Sequence, residues 1–194
     1  MKKNTLTRGG FTLIELMVTL ALVAVMMAIA TPSLTTFQRN AQLTSFSNTM
    51  LASINAARGE AMKRGRNAMI VPASGTSWNN GWVVFIDIDR SEDFDSTNNI
   101  RILTREAPPS YLTITPDGTA SDSPPYMMFD ASGYSKTKAG AFGANTFEIK
   151  RNDVSGTEQL TQTRRVKIAP TGRVRVCTPA SSTDTQCSAS ASDL

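Results

Sequence analysis

The stretch that most constrains this chain is the run from Phe11 to Ala30, 20 residues of which only Thr12, Glu15 and Thr19 are not apolar. A helix needs roughly 20 apolar residues to cross a bilayer, so the run predicts one membrane-spanning helix. A leader carrying Lys2, Lys3 and Arg8 ends in Gly9-Gly10 just ahead of it, and its positive charge favours a cytoplasmic N-terminus. Glu15 is the exception inside the run. A carboxylate at the centre of a membrane helix costs about 2.5–3.5 kcal/mol, less near the helix end. It stands one turn in from Phe11, and the run holds no Lys or Arg to answer it. Cleavage between Gly10 and Phe11 would create an amine that pairs with Glu15 of the same chain or of a neighbour and neutralises both charges. The residues therefore predict processing at Gly10–Phe11 and helices that pack side by side through Glu15. An ordinary secretory signal peptide, cut after Ala28-Ile29-Ala30, leaves Glu15 without a purpose and severs a helical pattern that continues.

Gly10-Phe11-Thr12-Leu13-Ile14-Glu15 resembles the class III signal of type IV pilins and type II secretion pseudopilins. The resemblance implies removal of residues 1–10 by prepilin peptidase and N-methylation of Phe11. It also implies assembly with other pilins into a helical filament. The protein would then be a single-pass protein of the bacterial inner membrane, with its C-terminal domain in the periplasm.

A chain of 194 residues suits one globular domain plus an anchor. The leader holds three of the 20 basic residues, against 16 acidic ones, so the remainder is nearly neutral and any partner must be argued from where charge sits. The absence of histidine excludes a Ser-His or Cys-His nucleophile, and no carboxylate pair marks a cleft, so no enzyme is expected. Cys177 and Cys187 are the only cysteines. Beyond a membrane anchor they predict a disulfide in an oxidising compartment, worth about 2–3 kcal/mol through the constraint on the unfolded tail. Their spacing without histidine is a poor zinc pattern. Asp87-Ile88-Asp89-Arg90-Ser91 begins like a calcium loop, but Glu92 stands at the sixth place and Asn98 at the twelfth, where glycine and a bidentate glutamate belong. An acidic solvated loop is expected, with no metal and no cofactor.

Pro32 closes the apolar run. Leu43, Phe46, Met50, Ile54, Ala57 and Ala61 then recur at three- and four-residue spacing, one apolar face for a domain to pack on. Gly65, after Lys63 and Arg64, caps that helix. Strands are expected at 68–71, 82–88, 100–104, 111–115, 126–129, 146–150, 164–168 and 173–177, with Gly, Pro, Asn, Asp and Ser between them. Residues 91–99 and 117–125 read as exposed loops. Trp78 and Trp82 flank a turn and serve either base stacking or, more in keeping with a core strand at Trp82, packing. Three stretches resemble the GspH/FimT family: Ala57–Gly65, with Gly59 where that family commonly has serine, Gly81–Asp87, and Thr171–Arg175. The resemblance implies a type IV pilin-like α+β fold, a long N-terminal helix packed on an antiparallel β-rich domain. The organisation is then leader 1–10, membrane or filament-core helix 11–32, amphipathic half 33–66, periplasmic domain 67–178, and a disulfide-closed, partly mobile tail 179–194.

The last two strands carry the sharpest local signal. Pro170-Thr171-Gly172 suits a type I turn followed by a left-handed glycine, which pairs Ile168 with Val174, Lys167 with Arg175 and Val166 with Val176. Val166, Ile168, Val174 and Val176 then face the core, and Arg165, Lys167, Arg173 and Arg175 share the other face. Like charges across a strand pair are destabilising, so such a face gains from binding an anion. Residues 150–177 hold seven basic and two acidic residues, and 86–130 hold three basic and nine acidic. A phosphate backbone fits this ridge, because arginines grip phosphates irrespective of sequence. Gly172-Arg173-Val174-Arg175 also resembles the Gly-Arg-x-Arg motif of FimT-type minor pilins, which bind DNA during natural transformation. The resemblance implies DNA contacts from Arg173 and Arg175, supported by Arg165, Lys167, Lys150 and Arg151. A solvated strand edge is the plainer reading of the same residues. Three roles remain open: DNA-uptake pilin, structural minor pilin that primes pilus assembly, and type II secretion pseudopilin.

Overall fold

Thr12 and Glu15 start the first helix as a reciprocal pair. The Glu15 carboxylate accepts from the Thr12 backbone N–H and hydroxyl, each at 2.9 Å, and the Glu15 N–H donates to the Thr12 hydroxyl at 3.3 Å. This is a capping box, which satisfies two amides that a helix start leaves unpaired. The computed structural model describes residues 10–95 and 97–192. Helix α1 (Leu13–Arg64) runs through Pro32 without ending, although proline takes one donor out of its ladder.

The chain divides into two units, Met1–Ala41 and Gln42–Leu194. In the first, every large apolar side chain from Phe11 to Met27 is exposed, Phe11 by 88%. Exposed apolar surface on this scale asks for a cover of lipid or protein. Among the described residues no helix is long and apolar enough to cross a membrane, so the single-pass anchor rests on the sequence pattern.

The second unit builds its core from α1 and two sheets. Leu43, Met50, Ile54, Ala57 and Ala61, all on one face of α1, are fully buried. Gly65 adopts φ +63°, and the Arg66 N–H returns to the Ala61 carbonyl at 3.2 Å, so the helix ends as its sequence predicts. Among the described residues the strands are β1 (Ala68–Pro72), β2 (Trp82–Ile86), β3 (Ile100–Arg105), β4 (Leu112–Gly118), β5 (Met127–Phe129), β6 (Ser135–Lys136), β7 (Asn145–Arg151), β8 (Thr163–Ile168) and β9 (Val174–Cys177). A short helix, α2 (Gly156–Thr161), precedes β8. All pairings are antiparallel, in the orders β3-β2-β1-β5-β6 and β4-β7-β8-β9. Alternation puts Ala68, Ile70, Val84 and Ile86 of one sheet and Ile114, Phe147, Ile149 and Val166 of the other into one core.

The two segments expected as exposed loops are so only in part. In the first, most described residues are exposed as expected, but Phe94 packs on the outer face of the first sheet, half-buried with its ring centroid 5.2 Å from that of Phe85. Asn99 is buried, accepting from the Ile88 N–H at 2.8 Å. In 117–125, β4 extends to Gly118, and Thr119 and Ala120 are buried. The Ala120 N–H donates to Asn145 at 2.8 Å and its carbonyl accepts from the Trp78 indole at 2.7 Å. Polar composition reads as solvent-facing, yet here the polar atoms are satisfied by tertiary partners, which offsets the cost of burying them. Both tryptophans are in the core, Trp78 edge-on to Phe147 at 4.7 Å and Trp82 fully buried.

Gly59 is exposed on α1 with open space where a Cβ would stand. Gly59→Ala should therefore raise stability by about 0.5–1 kcal/mol through backbone entropy, read as a higher thermal midpoint of the full chain.

Candidate nucleic-acid interface

The β8–β9 hairpin has the register its turn predicts, with Ile168 opposite Val174, Lys167 opposite Arg175 and Val166 opposite Val176. Gly172 takes φ +78°, and a Cβ there would strike the Gly133 carbonyl oxygen and lie 2.7 Å from Arg58 Nε. Arg58 itself donates to that carbonyl at 3.0 Å. The Ser135 N–H donates to the Pro170 carbonyl at 2.9 Å, so the turn is fixed against α1 and the 133–135 segment.

The cations of the outer face are not left facing one another in water. Arg165 is buried and donates through Nε and Nη2 to Glu148, on the neighbouring strand, at 2.8 and 2.6 Å. Its Nη1 donates to the Cys187 carbonyl. Lys167 is fully buried; its ammonium donates to the carbonyls of Ser188 and Ser190 at 2.9 and 2.7 Å and to the Thr146 hydroxyl at 3.4 Å. Lys150 pairs with Glu148 at 3.2 Å, and Arg151 is buried and forked onto Asp153 at 2.9 and 2.7 Å. The ridge that the sequence presents as an anion site is therefore largely answered from within, by Glu148, Asp153 and a row of backbone carbonyls.

Those carbonyls belong to the tail, which packs over β8 instead of trailing free. Cys177 and Cys187 form a disulfide with their Cα atoms 5.9 Å apart. Asp184 shapes the loop between them, accepting from the N–H groups of Ala180, Gln186 and Cys187 at 2.9, 2.9 and 3.1 Å. Cys187 and Ala191 are buried, and the Ala191 N–H donates to Asp117 at 2.6 Å.

What stays open is the end of the hairpin. The Arg173 carbonyl accepts from the Ala169 N–H at 2.9 Å, while its side chain is exposed with no hydrogen bond or ion pair among the described residues. Arg175 is half-buried, giving Nη2 to the Gln186 carbonyl at 2.6 Å. With Lys167, Ala169 and Gln186 these arginines line a cleft of about 140 Å³. Lys167 lends the cleft positive charge while its ammonium stays on Thr146, Ser188 and Ser190, so the exposed cation at its edge is Arg173. Elsewhere, Gly10 and Phe11 are exposed ahead of α1, and Glu15 is engaged by Thr12. Glu148, Asp184 and the tail carbonyls were missed from the sequence. Glu148 faces Arg165 across the β7–β8 pairing, 17 residues away in sequence, so no local signal marked it. In the acidic loop, burial pushes the Asp87 carboxyl above its ordinary range. Among the described residues no group of three or more acidic or cysteine side chains could hold a metal.

The family described as Type II transport protein GspH matches residues 47–172, and the Prokaryotic N-terminal methylation motif matches residues 6–31. The type IV minor pilin FimU of Pseudomonas aeruginosa is similar in structure in two crystal forms. One has a TM-score of 0.52 at 19% identity, covering 75% of this chain and 98% of that one. The other gives 0.52 at 19%, covering 71% and 98%. The minor pseudopilin EpsH of the Vibrio cholerae Type 2 Secretion System scores 0.48 at 11% identity, covering 72% and 99%. The likeness to FimU establishes a pilin-like fold. No curated protein matches the chain significantly.

The amides of Ala180, Cys187 and Gln186, and the charge of Arg165, hold the Asp184 carboxyl below its ordinary value of 3.8. A depressed folded-state value contributes stability above the unfolded value, and that contribution is lost as pH falls through the folded one. The advantage of the native chain over Asp184→Asn in thermal unfolding should thus shrink between about pH 5 and pH 2. A constant difference across that range would show that the carboxylate charge is irrelevant to the tail.

Proposed function

Because the chain belongs to the Type II transport protein GspH family and carries the N-terminal methylation motif at residues 6–31, we propose that this minor pilin captures DNA for uptake at its hairpin tip. Prepilin peptidase cuts after Gly10, Phe11 becomes the methylated N-terminus, and the apolar run anchors the chain in the inner membrane before it enters a filament with other pilins. Glu15 serves twice: Thr12 holds one carboxylate oxygen in the capping box, and the other is available to the new amine of its own chain or a neighbour. The work is assembly and capture, without catalysis.

The observation that carries the DNA reading is the exposed, unengaged Arg173 beside Arg175 at the mouth of a cationic cleft. Phosphates held there would be recognised by charge and shape, with no base read. Arg165 and Lys167 act behind the surface, holding the tail and lending positive potential. The family description favours a second reading, a type II secretion pseudopilin whose hairpin meets another pseudopilin.

The full chain in detergent micelles, titrated with duplex DNAs of unrelated sequence at two salt concentrations, separates these readings. DNA capture requires similar affinity for each sequence and weakening with salt. Arg173→Gln/Arg175→Gln should lower the logarithmic salt slope by about 0.9 for each phosphate the variant no longer neutralises. A folded native chain that binds neither the duplexes nor their separated strands would overturn the reading and leave the pseudopilin role. For the anchor, Glu15→Gln retains an acceptor for Thr12 and removes the charge. It should form the same helix and enter filaments poorly, and undiminished incorporation would leave Glu15 as a cap alone.

A further inference from the structure

Tyr134 and Phe142 are the only exposed aromatic side chains among the described residues of the Gln42–Leu194 unit, and they touch. Their ring centroids are 5.5 Å apart at 69°, with Phe142 60% and Tyr134 41% exposed. Every other aromatic of that unit is buried or half-buried. Leaving two rings together in water forgoes the burial that aromatic side chains ordinarily contribute.

The pair is held on a short, tightly bonded hairpin. Asp130 accepts from the N–H groups of Ser132 and Tyr134 at 2.9 and 3.0 Å, and the Asp130 N–H donates to the Tyr134 carbonyl at 3.0 Å. Phe142 bridges Lys136, and the Gly143 N–H donates to the Ser135 carbonyl at 3.0 Å. The Lys136 ammonium lies 3.7 Å from the Phe142 ring centroid. The position is also specific. Tyr134 sits between Gly133, whose carbonyl is pressed against Gly172, and Ser135, whose N–H donates to Pro170. The segment that carries Tyr134 is therefore tied to the turn that precedes Arg173 through the backbones of Gly133 and Ser135.

We propose that Tyr134 and Phe142 form a stacking platform for the bases of single-stranded DNA, while Arg173, Arg175 and Lys136 hold its phosphates. The proposal rests on the DNA reading above and narrows its substrate to strands with exposed bases. A duplex offers phosphates but keeps its base faces stacked inside. A single strand offers both, and every base has a π-face, so the platform would be indifferent to sequence. Cations beside exposed rings match that ligand; a purely apolar protein partner would have no use for them.

The test uses the full chain in detergent micelles with three probes of equal length: a thymidine oligonucleotide, its duplex, and an abasic oligomer with the same phosphates. The native chain should bind the thymidine strand more tightly than either of the others. Tyr134→Ala/Phe142→Ala should reduce thymidine binding by about tenfold, toward the abasic level, and leave abasic binding unchanged. Phe142→Leu, which keeps apolar volume without a ring, should lose affinity in the same direction. Equal native affinity for thymidine and abasic strands would overturn the platform, as would full thymidine binding by the folded double alanine variant. If those results accompany binding that disappears in Arg173→Gln/Arg175→Gln, the phosphate site stands and only the stacking falls. If the folded native chain binds none of the three probes, the DNA reading falls and takes the platform with it.

Discussion

The β-rich unit depends on one apolar seam, the face of α1 carrying Leu43, Met50, Ile54, Ala57 and Ala61. Each of its large side chains contributes roughly 1.5–3 kcal/mol on full burial. The small residues matter as much, since Ala57 and Ala61 leave room for the sheets to approach. Both sheets present alternating apolar residues to this seam. Neither has a complete core without it, because a sheet with one apolar face must bury that face against another element. The fixed β8–β9 turn follows from the same packing, since Arg58 and Gly133 grip Gly172 beside α1.

The second constraint is electrostatic. Bringing Arg165 and Lys167 onto the outer face of β8 desolvates two cations, and a buried charge without partners is strongly unfavourable. Glu148 answers one and tail carbonyls answer both. The disulfide and the Asp184 turn keep those carbonyls in place. This explains why a tail made of serine, alanine and threonine folds at all: its backbone supplies acceptors that β8 requires. It also divides the basic residues by role, with the buried ones building the face and Arg173 and Arg175 left at its edge.

Much of this was legible in local chemistry. The eight strands expected from alternating runs occur; among the described residues the additions are the very short Ser135–Lys136 strand, α2 and single turns of 3-10 helix at Trp78–Asn80 and Thr119–Ser121. The Gly65 cap, the Gly172 turn, its register and the cysteine pair followed from rules acting over a few residues. The capping box at Thr12 was also written locally, but the membrane cost of Glu15 points to its charge before its hydrogen bonding. Polarity misled at Asn99, Thr119 and Ala120, which are buried within segments that are otherwise largely exposed. The amide and carbonyl of Ala120 are paired with atoms distant in sequence, those of Asn145 and Trp78.

By itself, the sequence determined what depends on periodicity and neighbouring residues: the apolar run with its signal, the helical face, the strand alternation, and the family to which these belong. Only the tertiary structure decided which cations are engaged inside the protein and which remain for a partner, because that depends on acceptors brought from Glu148 and from residues 187–190. It alone set Tyr134 against Phe142, on a segment bonded through Ser135 to Pro170, since no local rule reports that two rings from separate strand ends meet in solvent. Short-range geometry is encoded where it acts, whereas charge compensation and surface juxtaposition exist only once distant segments share a face.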